Sequence, residues 1–247
     1  MREMSRSYHQ FCGIARALDL VEQRWLLLIV RELVLRGPLS AAALARGLPG
    51  VPSNQLADRL THLEAVGLVS TDEPTGSRPR QHRYSLTDAG RRLEPVVAAL
   101  AEFGLSSVDR PVAPDEVVLP HVLMRQLELG YDVARARREG FTGRFVLVLD
   151  DPGVLWSVEP GVPAPPRWAL HADGEGLRVG RGPADRPQAI LRMDVATCAG
   201  LVTRSDGLLP IRVSGDRRRA LRLLSLLRSP TLRERDSQRP VPDVAAA

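Results

Sequence analysis

At 247 residues, 44% hydrophobic and 26% charged, the chain has length and apolar content for two domains with separate cores. Its net charge of +5 is carried by arginine alone, since no lysine occurs, and is too modest to mark the whole chain as a nucleic-acid coat. No apolar run approaches the roughly 20 residues of a membrane span, and no apolar signal core follows Met1, so a cytoplasmic protein with no membrane partner is expected.

Cys12 and Cys198 form no CxxC, which argues against a disulfide framework or a zinc site. Arginine suits bidentate phosphate or base contacts, but its use throughout reads better as coding bias. Residues 1–104 hold thirteen arginines against eleven acids, so local arrangement must carry any case for DNA binding.

In chain order, Phe11 to Val21 predicts a helix with Ile14, Leu18 and Val21 on one stripe and Ala15 beside them. Trp25 to Leu35 predicts a second, more buried helix ended by Gly37-Pro38. Ser40 caps a short third helix through Arg46, with Leu44 inward and Gly47 as its stop. A tight connection, Leu48 to Pro52, leads into the helix on which the first half turns, Ser53 to Val66.

There Leu56, Leu60 and Leu63 recur at i, i+4 and i+7 and share one face. Asn54, Gln55, Asp58, Arg59 and His62 fall on the others, free to meet a partner. Ser53 is expected to cap the first turn and Gly67 to close the last. Such a helix spans about 20 Å, a fit for the major groove of B-DNA. Two helices joined by a short glycine-containing turn make a helix-turn-helix with the second helix as reader.

After Gly67 the period becomes that of a hairpin, with strands Leu68 to Thr71 and His82 to Leu86. Its tip carries Arg78, Arg80 and Arg83, with no acid between Gly76 and Tyr84. Directly after a helix-turn-helix, this reads as a wing whose guanidinium groups meet phosphates or a narrow minor groove. A last helix opens at Thr87-Asp88-Ala89-Gly90 and runs through Leu93, Val96, Val97, Leu100 and Phe103, with Pro95 a kink or restart. Its apolar stripe suits a dimer interface or packing on a second domain.

These segments resemble the HxlR type of winged-helix transcriptional regulator. The resemblance rests on Phe11 to Leu18, Arg24-Trp25 with Leu28 to Leu33, Gly47-Leu48-Pro49-Gly50, Leu60, Leu63 to Val69 and Tyr84 to Gly90. It implies a homodimer built from the first and last helices, with Ser53 to His62 in the major groove and the wing arginines beside the minor groove. Ala41-Ala42-Ala43 departs from the family's usual aromatic, hydroxyl residue and acid, which puts a phosphate contact there in doubt. Some relatives sense oxidants through a cysteine placed like Cys12. A sensing thiol must be exposed with a lowered pKa, with Arg16 one turn on as the candidate cause, and a small core residue is the favoured role for Cys12.

Val108 to Asp115 is proline-rich and polar, a linker. Val117 to Leu129 predicts a helix with Pro120 in its first turn. Strands follow at Arg144 to Leu149, Val154 to Val158, Arg167 to Ala172, Leu177 to Gly180 and Gln188 to Met193, with Asp-rich turns between them. Asp194 to Leu201 reads as helix and Ile211 to Val213 as strand. A final amphipathic helix follows Gly215-Asp216, with Leu221, Leu224 and Leu227 inward and Arg217, Arg218, Arg219 and Arg222 largely outward.

The fold class expected is therefore α+β: a winged helix-turn-helix domain followed by an antiparallel sheet covered by helices. The domains are 1–106, a linker 107–116, 117–228 and a disordered tail 229–247. Leu177 to Gly182, Ala189 to Asp194 and Ile211 to Asp216 resemble the sterol carrier protein-2 type of domain. The resemblance implies an apolar space for hydrophobic ligands, with Phe145, Leu147, Trp156, Trp168 and Met193 as candidate lining, although apolar alternation equally allows a filled core.

His9, His62, His82, His121 and His171 show no metal-ligand spacing, and no nucleophile with its base is discernible, so neither enzyme nor cofactor is expected. The expected function is a homodimeric regulator binding double-stranded DNA at a palindromic operator and modulated by a hydrophobic small molecule. Gln55, Arg59 and His62 are the candidates for base edges; Ser53 and Asp58 belong to the same surface. Asn54, Arg78, Arg80 and Arg83 are the candidates for backbone or minor-groove contact. The alternatives are a thiol switch at Cys12, or a lipid carrier or scaffold with a vestigial DNA module.

Overall fold

A computed structural model describes residues 7–72, 82–107, 113, 116–150, 167–203 and 210–227. Contacts divide the chain into two compact units, Met1–Ala99 and Leu100–Ala247. Of the expected linker 107–116 only residues 107, 113 and 116 are described, and the expected tail 229–247 lies outside the described residues.

The first unit runs α1 (Gly13–Val21), α2 (Leu26–Arg36), β1 (Leu39–Ser40), α3 (Ala41–Gly47), α4 (Ser53–Ala65), β2 (Val69–Thr71), β3 (Arg83–Leu86) and α5 (Asp88–Arg91). It continues into α6 (Glu94–Ser107), which crosses the boundary between the units. Leu26, Ile29, Val30 and Leu33 of α2 meet Leu44 of α3 and Leu56, Leu60 and Leu63 of α4 in one apolar core, joined by Leu68, Val69 and Leu86. Each buried leucine contributes about 2 kcal/mol, so the three on α4 suffice to orient that helix.

Local chemistry sets the helix ends. The Ala43 amide donates to Ser40 Oγ at 3.3 Å, capping α3 as expected. α4 ends with the Leu68 amide on the Leu63 carbonyl and the Gly67 amide on the Glu64 carbonyl, with Gly67 at φ 73°. That is the paired closure a left-handed glycine permits. Pro95 marks a restart: α5 stops and α6 begins at Glu94. Gly90 cannot carry a side chain, because a Cβ there would sit 2.0 Å from the Leu68 carbonyl oxygen.

Three sequence expectations need correction in this unit. Ser53 is the first residue of α4, Pro52 occupies the cap position, and no side chain caps the turn. The Ile14–Leu18 stripe of α1 faces outward: Phe11 is 95% and Ile14 72% exposed, while Ala15 and Val21 are the buried residues. Periodicity identifies residues sharing a face, and only packing partners decide which face is covered. Finally, Leu39–Ser40 form a strand not foreseen, giving a three-stranded antiparallel sheet in the order β1-β3-β2, with Leu39 opposite Tyr84 and Val69 opposite Leu86.

The second unit contains α7 (Pro120–Leu129), α8 (Val133–Arg138), β4 (Gly143–Leu149), β5 (Arg167–Ala172), β6 (Leu177–Arg181), β7 (Ala189–Met193), α9 (Val195–Thr203), β8 (Arg212–Gly215) and α10 (Arg217–Leu227). Pro120 occupies the first turn of α7, where its missing amide costs nothing. The short α8 was not foreseen, and the strand expected at Val154 to Val158 lies outside the described residues.

The sheet order is β6-β5-β4-β7-β8. It is mixed rather than antiparallel, since β4 and β7 pair in parallel with Phe145 opposite Ala189 and Leu149 opposite Met193. After the β5–β6 hairpin, residues 182–188 carry the chain to the far side of β4, and a crossover of this kind reverses the pairing sense. The inner face of the sheet, with Phe145, Leu147, Leu170 and Leu191, shares its core with Leu123 and Leu127 of α7, Cys198 of α9 and Leu223 and Leu227 of α10. Leu221, expected inward on α10, is 53% exposed; the covered residues are Ala220, Leu223, Leu224, Leu226 and Leu227.

Candidate nucleic-acid interface

The leucine face of α4 is committed to the core, so its other side is what the helix-turn-helix presents. Ser53, Asn54, Ala57, Asp58 and Thr61 are exposed; Gln55, Arg59 and His62 are half-buried at the flank. The turn before the helix is built on Gly50, at φ 82°, and on the Val51 amide donating to the Leu48 carbonyl at 3.0 Å. At the far end Thr71 Oγ1 donates to Glu64 Oε1 at 2.9 Å, tying β2 to α4.

The angle between α2 and α3 is held by a buried carboxylate. Glu32 is fully buried, with Arg31 donating to Oε1 through Nε (3.1 Å) and Nη2 (2.8 Å), and Arg36 Nη1 donating to Oε2 at 3.1 Å. The same guanidinium groups reach the carbonyls of Gly47 (3.3 Å) and Ala43 (3.5 Å) in α3. Cations at a helix C-terminus oppose its negative dipole end. Gly47 is required here, since a Cβ would lie 2.2 Å from Glu32 Oε2.

Arg59 and His62, expected to be free to meet a partner, each hold a main-chain carbonyl. Arg59 Nε donates to the Arg24 carbonyl at 3.2 Å, and His62 Nε2 lies 3.0 Å from the Leu20 carbonyl. Arg83 is exposed but also engaged, its Nη2 donating to the Pro38 carbonyl. Arg78 and Arg80 lie outside the described residues. Exposed Thr61 and Arg46 were missed. Counting i+4 and i+7 from Asn54 yields Asp58 and Thr61, so the signal for Thr61 was present; Arg46 was read only as a helix end.

Cys12 is exposed rather than a core residue. The amides of Ala15 and then Ile14, at the start of α1, hold its thiol below the ordinary range. They act as partial positive charge, because the geometry falls short of a capping hydrogen bond. Arg16 contributes nothing to that lowering; its guanidinium instead lies 4.8 Å from the centre of the Phe11 ring. Cys198 is buried, and desolvation pushes its thiol up to about 12.

In the second unit Phe145, Leu147, Trp168 and Met193 are all buried in the common core, Phe145 stacked on Phe141 with ring centres 6.2 Å apart. Trp156 lies outside the described residues. Among the described residues no three His, Cys, Asp or Glu side chains converge as a metal site would require. No described helix is long and apolar enough to cross a membrane.

The family model for HxlR-like helix-turn-helix proteins matches residues 20–111. HTH-type transcriptional regulators of Mycobacterium bovis and Mycobacterium tuberculosis are each 42% identical over 108 residues, 43% of this chain and 66% of theirs. The chain thus spans just under two thirds of these relatives' length. The Bacillus subtilis HTH-type transcriptional regulator YvaP is 32% identical over 94 residues, 38% of this chain and 85% of its own. Among solved structures, the redox regulator HypR in its reduced form is 30% identical, covering 40% of this chain and 95% of its own, with a TM-score of 0.37. With a matched winged helix-turn-helix and relatives at this identity, the chain belongs to the HxlR-like helix-turn-helix family of transcriptional regulators.

Proposed function

We propose that the protein is a homodimeric, sequence-specific DNA-binding regulator that seats α4 in the major groove of a palindromic operator. The observation that carries this is the exposed polar strip Ser53, Asn54, Asp58 and Thr61 on a helix whose opposite face is locked into the core. Asn54 and Gln55 suit adenine edges and Asp58 suits the cytosine amino group. The first-turn amides of α4, which no side chain caps, and the exposed Arg46 favour phosphates. A second copy covers the apolar side chains that α1 (Phe11, Ile14) and the start of α6 (Val96) leave to solvent. Half-sites then fall one or two helical turns apart, about 34 Å per turn.

The second unit is proposed as a sterol-carrier-like module that takes a hydrophobic small molecule between sheet and helices. Its support is the largely apolar inner face of the sheet, and regulation requires that the effector bind the two DNA-binding states differently. The test is selection of duplexes from a randomised pool by the purified full chain, with affinity then measured against salt. A selected palindrome and a steep salt slope are expected. Asn54→Ala should lose affinity for that palindrome far more than for random DNA; equal losses refute the assignment of α4.

A thiol-switch reading is favoured by one observation, the exposed Cys12 with its lowered pKa. Under it, diamide changes affinity for the selected palindrome in the wild type and does nothing to Cys12→Ser.

A further inference from the structure

We propose that Arg59 and His62 are positioning residues that fasten α4 to the junction between α1 and α2, leaving base recognition to Asn54, Gln55, Asp58 and Thr61. The proposal rests on the DNA-binding reading above. Both side chains are half-buried on the flank of α4 and each donates to a main-chain carbonyl, Arg59 through Nε to Arg24 at 3.2 Å and His62 through Nε2 to Leu20 at 3.0 Å. Facing a carbonyl, His62 makes this bond only when Nε2 carries the hydrogen, so it serves as a donor. Leu20 lies in the last turn of α1, where carbonyls have no intrahelical donor. His62 supplies from a different helix what a C-terminal cap would supply from the same one.

The junction these bonds grip is strained. Trp25 sits at φ 77°, the left-handed region that a bulky residue adopts only when its surroundings impose it. The Arg24 guanidinium stacks 5.3 Å from the Trp25 ring centre. Beside them Gln23 Oε1 is buried with no hydrogen-bond donor. The junction's other end is anchored as well, with the Tyr8 hydroxyl donating to Glu22 Oε2 at 2.6 Å. Two donors three residues apart on α4 thus hold two carbonyls four residues apart on a distorted connection. A displacement of α1 moves both carbonyls and tilts α4 with them, which couples the helix proposed for dimer contact to the helix proposed for the groove.

The test uses the full chain and the randomised duplex pool, comparing base preference at every position for the wild type, Arg59→Gln, His62→Leu, His62→Gln and Asn54→Ala. Losing one tie is expected to weaken binding to the selected duplex about three- to tenfold. In Arg59→Gln and His62→Leu the base-preference profile and salt slope should stay unchanged, and amides 22–26 of the free protein should exchange faster. His62→Gln, which keeps an N–H donor, should recover most of the affinity, and Asn54→Ala should flatten the preference at one position. A flattened preference in Arg59→Gln or His62→Leu, unchanged affinity in both, or a salt slope reduced by about 0.9 in Arg59→Gln, the mark of a lost phosphate contact, overturns the proposal with DNA binding intact. A wild type that selects no sequence overturns both.

Discussion

Gly47→Ala should be among the most destabilising single-methyl additions in the first unit, and the structure says why. The added carbon would stand 2.2 Å from Glu32 Oε2 and 2.7 Å from its Cδ. Glu32 is fully buried and held by Arg31 and Arg36, so its carboxylate has no solvent to swing into. Overpacking costs about 1–3 kcal/mol and a disrupted charged hydrogen bond about 1.5–3, so a total of about 3 kcal/mol or more is expected. For a unit of this size that is a fall of roughly 12–24 °C in Tm. Glu32→Ala alone should also cost about 3 kcal/mol, the low end for a broken buried pair, because both guanidinium groups still reach water. In the Glu32→Ala background, however, Gly47→Ala meets no carboxylate and should cost under about 1 kcal/mol, leaving a coupling of about 2 kcal/mol or more. Urea titrations read by hydrogen exchange of the α2–α3 peptides would isolate this unit from the other. The same cost for Gly47→Ala in both backgrounds would refute the reasoning.

The two thiols should separate cleanly. Iodoacetamide is expected to alkylate Cys12 in the native protein, with a rate rising at lower pH than for an ordinary thiol, and to reach Cys198 only after unfolding; equal native rates would contradict the structure. Asp173 closes the β5–β6 turn by accepting from the amides of Glu175 (2.8 Å) and Gly176 (3.1 Å), and it also accepts from Arg178. Its carboxyl is held low, first by the Glu175 amide and next by Arg178. Its stabilisation is therefore complete above the unfolded value of about 3.9 and is lost as pH falls through the depressed folded value. Asp173→Ala should cost about 1–2 kcal/mol at pH 7. That gap should shrink in urea titrations run progressively below pH 4, and a gap independent of pH would count against the assignment.

Much of the reader unit was legible in the sequence because its signals are local. Leu56, Leu60 and Leu63 lie within two helical turns of one another, and Ser40 and Gly67 act on amides and carbonyls no more than five residues away. Ser53 failed as a cap because Pro52, with its extended backbone, already filled that position. The two-residue β1 was invisible because its partner, β3, lies more than forty residues on and the segment has no period of its own. The parallel β4–β7 pair was missed for a related reason. The crossover, Gly182-Pro183-Ala184-Asp185-Arg186-Pro187-Gln188, carries the same Gly, Asp and Pro signals as a hairpin turn, so local sequence does not distinguish the two.

Read by itself, the sequence determined the periods, caps and turns of the main helices and strands, and the membership of a helix-turn-helix family. Only the tertiary structure decided which faces those helices cover, and so turned Ile14 and Leu221 outward, exposed Cys12, and bent Arg59 and His62 onto the carbonyls of Arg24 and Leu20. The division has a physical cause. Backbone geometry and capping depend on neighbours a few residues away, while burial and the partner of a long polar side chain depend on which distant segment arrives beside it.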